Sequence, residues 1–221
     1  MKNGDSREQS EVAVFSLLAR GLAELEIEAS GDQINCLTQL VSLVSEWASR
    51  ISLTGHREPL DLASHLVLDA AALSRQLPEL DRAERLADLG SGVGFPGLPI
   101  AILRPHLEVA LVESRQKRHH LQREARRRLG LARALPIHGR SDEVEIQPSD
   151  VVVAQAMTQP ERALDLMRPW TRAGGIVVLP TSESAIRPAL PDGYDDLGVR
   201  EYEVPVIHRR RRLWIAQVRD E

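Results

Sequence analysis

The chain has 221 residues, with 28 Lys and Arg against 32 Asp and Glu, a net charge of −4 and one cysteine, Cys36. That length suits one large domain, or one domain with an extension, that buries about 70% of its unfolded surface. The charge balance excludes a generic polyanion binder, so nucleic-acid contact would need a local basic patch, and a lone cysteine excludes an internal disulfide and a cysteine-ligated zinc cluster. No apolar run reaches the roughly 20 residues of a membrane span. Residues 1–10 are polar and lack the apolar stretch of a signal peptide, so the expected location is the cytoplasm.

Between residues 8 and 28 apolar side chains recur at helical spacing: Val12, Phe15, Leu18, Leu22 and Leu25. Ser30-Gly31-Asp32 interrupts this pattern and can cap a second helix, which runs to about Arg50 with Leu37, Leu40, Val41, Val44 and Trp47 on one face. A third helix is expected from Leu60 to Gln76, after Pro59, and Pro78–Arg82 is the best linker candidate. Residues 1–80 therefore read as a helical extension without strands.

The pattern then changes. Short apolar runs at Arg85–Leu89, Val109–Val112, Leu135–Ile137, Val151–Ala154 and Ile176–Leu179 alternate with helical segments at Gly97–Leu103, Gln116–Leu129 and Pro160–Thr171. Strands alternating with helices imply parallel pairing through right-handed crossovers. Fully apolar strands suit a sheet covered on both faces. Arg200–Val206 and Arg212–Val218, joined by a basic turn, read as an antiparallel hairpin closing the sheet. Residues 81–221 thus form an α/β, Rossmann-like domain.

Where the first strand meets the next helix, the chain reads Asp88-Leu89-Gly90-Ser91-Gly92-Val93-Gly94. Glycines let the backbone approach a ligand closely, and the helix N-terminus beyond offers free N–H groups to a carboxylate. The second strand ends at Glu113, at the ligand crevice of a doubly wound sheet, where a carboxylate can accept both ribose hydroxyls of an adenosine. Gly92, Gly94 and Gly97 also spell the G-x-G-x-x-G dinucleotide fingerprint, so a dehydrogenase competes. Three features favour S-adenosylmethionine. Asp88 precedes the first glycine by two, the Pro96–Pro99 stretch delays a regular helix, and the antiparallel hairpin is one that nicotinamide-binding domains usually lack.

Asp88–Pro99 followed by Arg104-Pro105 resembles the bacterial small-subunit rRNA guanine-N7 methyltransferase G family, also called glucose-inhibited division protein B. Trp47 with Ser52-Leu53-Thr54, His65–Asp69, Glu113-Ser114 with Lys117-Arg118, His138–Arg140 before acidic residues, and Arg212–Ile215 are similar to further family motifs, in order. The resemblance spans roughly residues 35–218. It implies a class I methyltransferase, a seven-stranded sheet preceded by helices, S-adenosyl-L-methionine as cofactor, and 16S rRNA or a small ribosomal subunit precursor as partner. By position it implies cofactor contacts at Gly90, Phe95, Ser141 and Asp142, with Glu113 on the ribose. Three positions depart from it. Gln155 and Pro180 stand where the family carries an arginine and a lysine, and Ser52 where it carries an asparagine. This predicts retained cofactor binding, with guanine-N7 methylation weakened or redirected.

Guanine N7 carries a lone pair and no proton, so transfer to it needs alignment and no general base; an oxygen or carbon nucleophile usually wants one. No catalytic side chain is nominated and no metal is expected. Gln155, ending the fourth strand, should face the methyl donor or the acceptor. His65 and Asp69, at i and i+4, can touch on one helix face. His119 and His120 read as surface. Arg115, Lys117, Arg118, Arg126 and Arg127, with Arg123 and Arg128, form one basic cluster and His208–Arg212 a second; each is a candidate phosphate contact or a solvated face. A monomer is expected. The competing readings are a diverged methyltransferase with another substrate and a noncatalytic cofactor-binding protein.

Overall fold

The computed structural model describes residues 2–48, 55–155 and 157–220. Ser52-Leu53-Thr54 and the predicted helix end at Arg50 lie outside the described residues, as does Ala156.

Two long helices open the chain, α1 (Lys2–Glu24) and α2 (Gly31–Ala48). The first stops short of residue 28 because Glu26 adopts a left-handed conformation and the Ile27 N–H donates back to the Leu22 carbonyl. Its buried face is Val14, Leu18 and Leu22, whereas Val12 is 62% exposed, so the stripe enters the core through Val14 and not through the expected Val12. Ser30 and Gln33 form a capping box at the start of α2. The Gln33 N–H donates to Ser30 Oγ, and the Ser30 N–H donates to Gln33 Oε1. Gln33 Nε2 also donates to the carbonyls of Ile102 and Leu103, tying the helical layer to the end of the helix that follows the first strand.

The third predicted helix is real but interrupted: α3 (Pro59–Leu62), a π turn (Ala63–Val67) and α4 (Leu68–Arg75). His65 lies in the π turn and stacks on His56, ring centroids 4.3 Å apart. Asp69 instead accepts from the Tyr202 hydroxyl and pairs with Arg211, so the expected His65–Asp69 contact gives way to different partners. Pro78–Asp81 is a 3-10 turn whose Leu80 is fully buried, a packed corner rather than a loose linker.

Seven strands follow: β1 (Arg85–Leu89), β2 (Glu108–Glu113), β3 (Ala134–His138), β4 (Ser149–Ala154), β5 (Thr171–Ser182), β6 (Tyr194–Val204) and β7 (Arg209–Val218). Helices α5 (Gly97–Leu103), α6 (Gln116–Arg128) and α7 (Pro160–Met167) connect them, and α5 begins at Gly97 without the delay expected from Pro96–Pro99. The sheet order is β3-β2-β1-β4-β5-β7-β6, with β5·β7 and β6·β7 antiparallel and the other pairs parallel. The hairpin is longer than expected at its start, and its turn takes in Val206.

Alternating side chains serve two cores. Val151 and Val153 of β4 face the layer of α1–α6, and Val152 and Ala154 face α7, Trp170 and Trp214. The first core is continuous from Leu18 and Leu40 to Leu111 and Ile215, so the helical layer is one cover of the sheet.

Candidate functional site

The strand order reverses at β1, which has β2 on one side and β4 on the other. At such a switch point the loops after neighbouring strands diverge and leave a crevice at their carboxyl ends. Here that crevice lies above Gly90.

Leu89 hands the chain to Gly90, whose φ is +69°. A Cβ on Gly90 would lie 2.8 Å from Met157 Cγ, so only glycine lets the loop and the segment after β4 approach this closely. The Ser91 N–H donates to the Val112 carbonyl, and the N–H groups of Gly94 and Phe95 donate to the Ser91 carbonyl. Gln122, fully buried on α6, holds the loop from behind. Its Nε2 donates to Ser91 Oγ at 2.8 Å and to the Gly92 carbonyl at 2.7 Å. Sequence reasoning missed this residue; the one available signal was an amide side chain beside Leu121 on the apolar face of α6.

Asp88 braces the loop. Its Oδ2 accepts the Gly97 N–H at 2.9 Å, and its Oδ1 is buried without a partner. Burial raises its pKa to about 7, against the Gly97 hydrogen bond, with a smaller push from Glu113. The side chain faces the start of α5, so Asp88 stands behind the crevice. Phe95 packs against the helical-layer core and is not in the crevice wall.

Glu113 ends β2, nearly buried. Its Oε1 accepts the Arg115 N–H at 2.6 Å and its Oε2 lies 3.8 Å from Arg118, so one oxygen is already engaged by the backbone. Ser141 follows β3; its carbonyl accepts from Trp170 Nε1 at 2.9 Å. Both oxygens of Asp142 accept from the Arg140 guanidinium, at 3.1 and 3.2 Å, and this hydrogen-bonded pair holds the Asp142 pKa below its usual value.

Two cavities open over the strand ends. The first, about 270 Å³, is lined by Gly90, Val112, Ser114, Ser141, Asp142 and Met157. The second, about 290 Å³, is lined by Gln155, Thr181, Arg209, Arg211 and Trp214, with Met157 and Thr158 bordering both. A larger open hollow, about 780 Å³, lies elsewhere, between Trp47 and α6, and is lined by His120, Arg123, Arg126 and Arg127.

The structure divides the predicted basic cluster. Arg115, Lys117 and Arg118 sit at the start of α6 beside Glu113; Arg126 and Arg127 lie about 14 Å further along the helix. Arg127 and Arg128 both pair with Glu124, and Arg126 donates to the Ala132 carbonyl. His119 is buried against the His138 ring, centroids 5.1 Å apart, and is not a surface residue; His120 is exposed.

The residues present fit a nucleoside ligand with a charged tail. A Cβ on Gly92 would meet only the Gly90 carbonyl, at 4.0 Å, so the loop crest is open. The first cavity offers Ser114, Ser141 and Asp142, and a carboxylate ends β2. A glycine-rich loop after β1 in a seven-stranded sheet with an antiparallel last hairpin defines a class I S-adenosylmethionine-dependent methyltransferase. A model of the family described as rRNA small subunit methyltransferase G matches residues 33–209, and the chain belongs to that family. It is 32% identical over 204 residues to ribosomal RNA small subunit methyltransferase G of Azoarcus sp. (strain BH72), covering 90% of this chain and 93% of the relative. The namesake of Anaeromyxobacter sp. (strain Fw109-5) is 30% identical, covering 94% of this chain and all of the relative. Among solved structures, TrmN from Thermus thermophilus aligns with a TM-score of 0.52 at 22% identity, over 67% of this chain and 48% of that one. M. jannaschii TYW2 in complex with AdoMet aligns with a TM-score of 0.51 at 17% identity, over 65% and 76%. Both likenesses concern the fold.

Proposed function

We propose that the chain transfers a methyl group from S-adenosylmethionine to N7 of a guanine in 16S rRNA, alone or in a small ribosomal subunit precursor. Family membership supports the substrate class. The observation that carries the choice of atom is the second cavity: among its described lining residues there is no carboxylate and no imidazole. An oxygen or carbon nucleophile would want a base there, and a lone-pair nitrogen needs only alignment.

In this reading the bound cofactor supplies an electrophilic methyl group on a sulfonium. Gly90, Gly92 and Gly94 let the loop backbone approach it, and Asp88 and Gln122 hold that loop rigid from behind. Glu113 accepts from the ribose through the oxygen not engaged by Arg115. Ser141 and Asp142 border the adenine, which competes with the Arg140 fork for Asp142. Phe95 supports the loop from the core side. Met157, against Gly90 and bordering both cavities, excludes water between donor and acceptor. Arg115, Lys117 and Arg118 flank the crevice as phosphate contacts, and Arg126 and Arg127 extend the RNA track along α6 toward Trp47. We assign 1–80 as a helical extension that covers the sheet and 81–221 as the methyltransferase domain, acting as a cytoplasmic monomer.

The test is N7-methylguanine in 16S rRNA from a bacterial host that lacks its own enzyme and carries this gene. Modification at a single guanine is the expected result. Absence of N7-methylguanine, with S-adenosylmethionine binding intact, would assign the chain another acceptor.

A further inference from the structure

The hairpin tip carries four consecutive arginines, Arg209 to Arg212. Alternation along β7 sends Arg209 and Arg211 to one side and Arg210 and Arg212 to the other. Three of them are matched by carboxylates: Arg210 with Glu183 at 3.8 Å, Arg211 with Asp69 at 3.5 Å and Arg212 with Glu201 at 2.9 Å. Among the described residues Arg209 has no carboxylate partner, is exposed, and lines the second cavity. Its position explains why. The β5·β7 ladder ends at the pair Ser182↔Arg211, so Arg209 overhangs the end of β5, above the carboxyl ends of the parallel strands.

The same cavity is lined by Gln155 and Pro180, the two positions at which the sequence lacks expected cations. Gln155 offers an amide and Pro180 offers no polar side-chain atom. Arg211 is only 8% exposed and already paired with Asp69, which also accepts from Tyr202. Arg211 therefore sits inside the protein against Asp69, with its Nε buried without a hydrogen-bond partner among the described residues. A guanidinium without a carboxylate partner among the described residues, at the mouth of a cavity beside the cofactor crevice, is what an anionic ligand group would complete. The cavity is near the lower end of the range for small-ligand sites, roughly 300–1,000 Å³. That is enough for one nucleotide and not for a folded RNA element.

We infer that this second cavity receives the acceptor nucleotide, and that Arg209 binds the RNA phosphate flanking it, supplying from β7 the charge that β4 and β5 do not carry at Gln155 and Pro180. The inference rests on the rRNA methyltransferase reading. It makes Arg209 a substrate-positioning residue with no part in holding the cofactor. Among the described residues its side chain has no carboxylate to lose, so its removal leaves the fold untouched.

The experiment compares methylation of purified small ribosomal subunits by the full chain and by Arg209→Ala, Arg209→Lys, Arg210→Ala and Arg209→Ala with Gln155→Arg. Arg209→Ala should raise KM for the subunits about 10-fold or more. It should also reduce the slope of log affinity against log salt by about one. S-adenosylmethionine affinity should match the parent's. Arg209→Lys should retain much of the affinity, Arg210→Ala should behave as the parent, and Gln155→Arg should recover part of the loss in the Arg209→Ala background. Parent-like KM and salt slope for Arg209→Ala would overturn the inference while leaving the rRNA reading standing. An equal loss of cofactor affinity would move Arg209 to the donor site and overturn it as well. If the parent itself methylates neither subunits nor free rRNA, the inference falls together with the reading beneath it.

Discussion

Replacing Asp88 with asparagine isolates the electrostatic cost of the brace behind the glycine loop. The asparagine oxygen can still accept the Gly97 N–H that Asp88 Oδ2 accepts at 2.9 Å. What disappears is a carboxyl whose pKa burial has raised from 3.8 to about 7. In the window between those values the unfolded chain has released the proton and the folded one holds it. The unfolded state then binds fewer protons, so unfolding free energy falls as pH rises. The contribution is fully present below about pH 4 and lost by about pH 7 to 8. At about 1.4 kcal/mol per pH unit the whole span is about 4 kcal/mol, of which about 3 kcal/mol is lost between pH 5 and pH 8. The amide has no proton to release, so Asp88→Asn gains on the parent by about that amount over the same interval. Urea unfolding of both proteins at pH 5 and pH 8, with unchanged m-values, reads the double difference directly. Parallel pH profiles would refute the reasoning, because they would mean that the buried carboxyl keeps its ordinary titration.

Gly92→Val places a β-branched residue where φ is +59°, with its side chain directed into the open loop crest. We expect a stability loss of roughly 1–3 kcal/mol with the fold intact, and loss of S-adenosylmethionine binding by calorimetry; parent-like binding would sink the loop assignment. Reversing Arg126 and Arg127 to glutamate should weaken binding to rRNA, and the salt slope should shrink by about two or more, with cofactor affinity unchanged. The Arg127–Glu124 pair lost in this variant is a surface contact of little weight for stability. A flat response would confine RNA contact to the start of α6 and the hairpin.

What the sequence by itself determined is whatever depends on neighbours in the chain. The apolar runs of β1 and β4 and the alternation with helices follow from local periodicity. Local residue chemistry likewise marks the helix cap at Ser30-Gly31-Asp32, the glycines that require left-handed backbone and the final hairpin, and together these specify the class of sheet and the loop at its switch point. The tertiary structure decided what depends on partners distant in sequence. The exposed Val12 and buried Val14 on α1 were set by the layer beneath, which no periodicity in 8–28 reveals. His119 is buried because His138, at the end of β3, comes to rest against it. The Asp88 carboxylate reaches the Gly97 N–H because Gly97 has no side chain to keep the start of α5 away. The four arginines of the hairpin read as one charged patch. Only the pairing of β7 with β5, and the carboxylates at positions 69, 183 and 201, distinguish three arginines with carboxylate partners from Arg209, which has none among the described residues. Such charges carry no local pattern, since an ion pair is fixed by where the fold brings two side chains and not by how either is flanked.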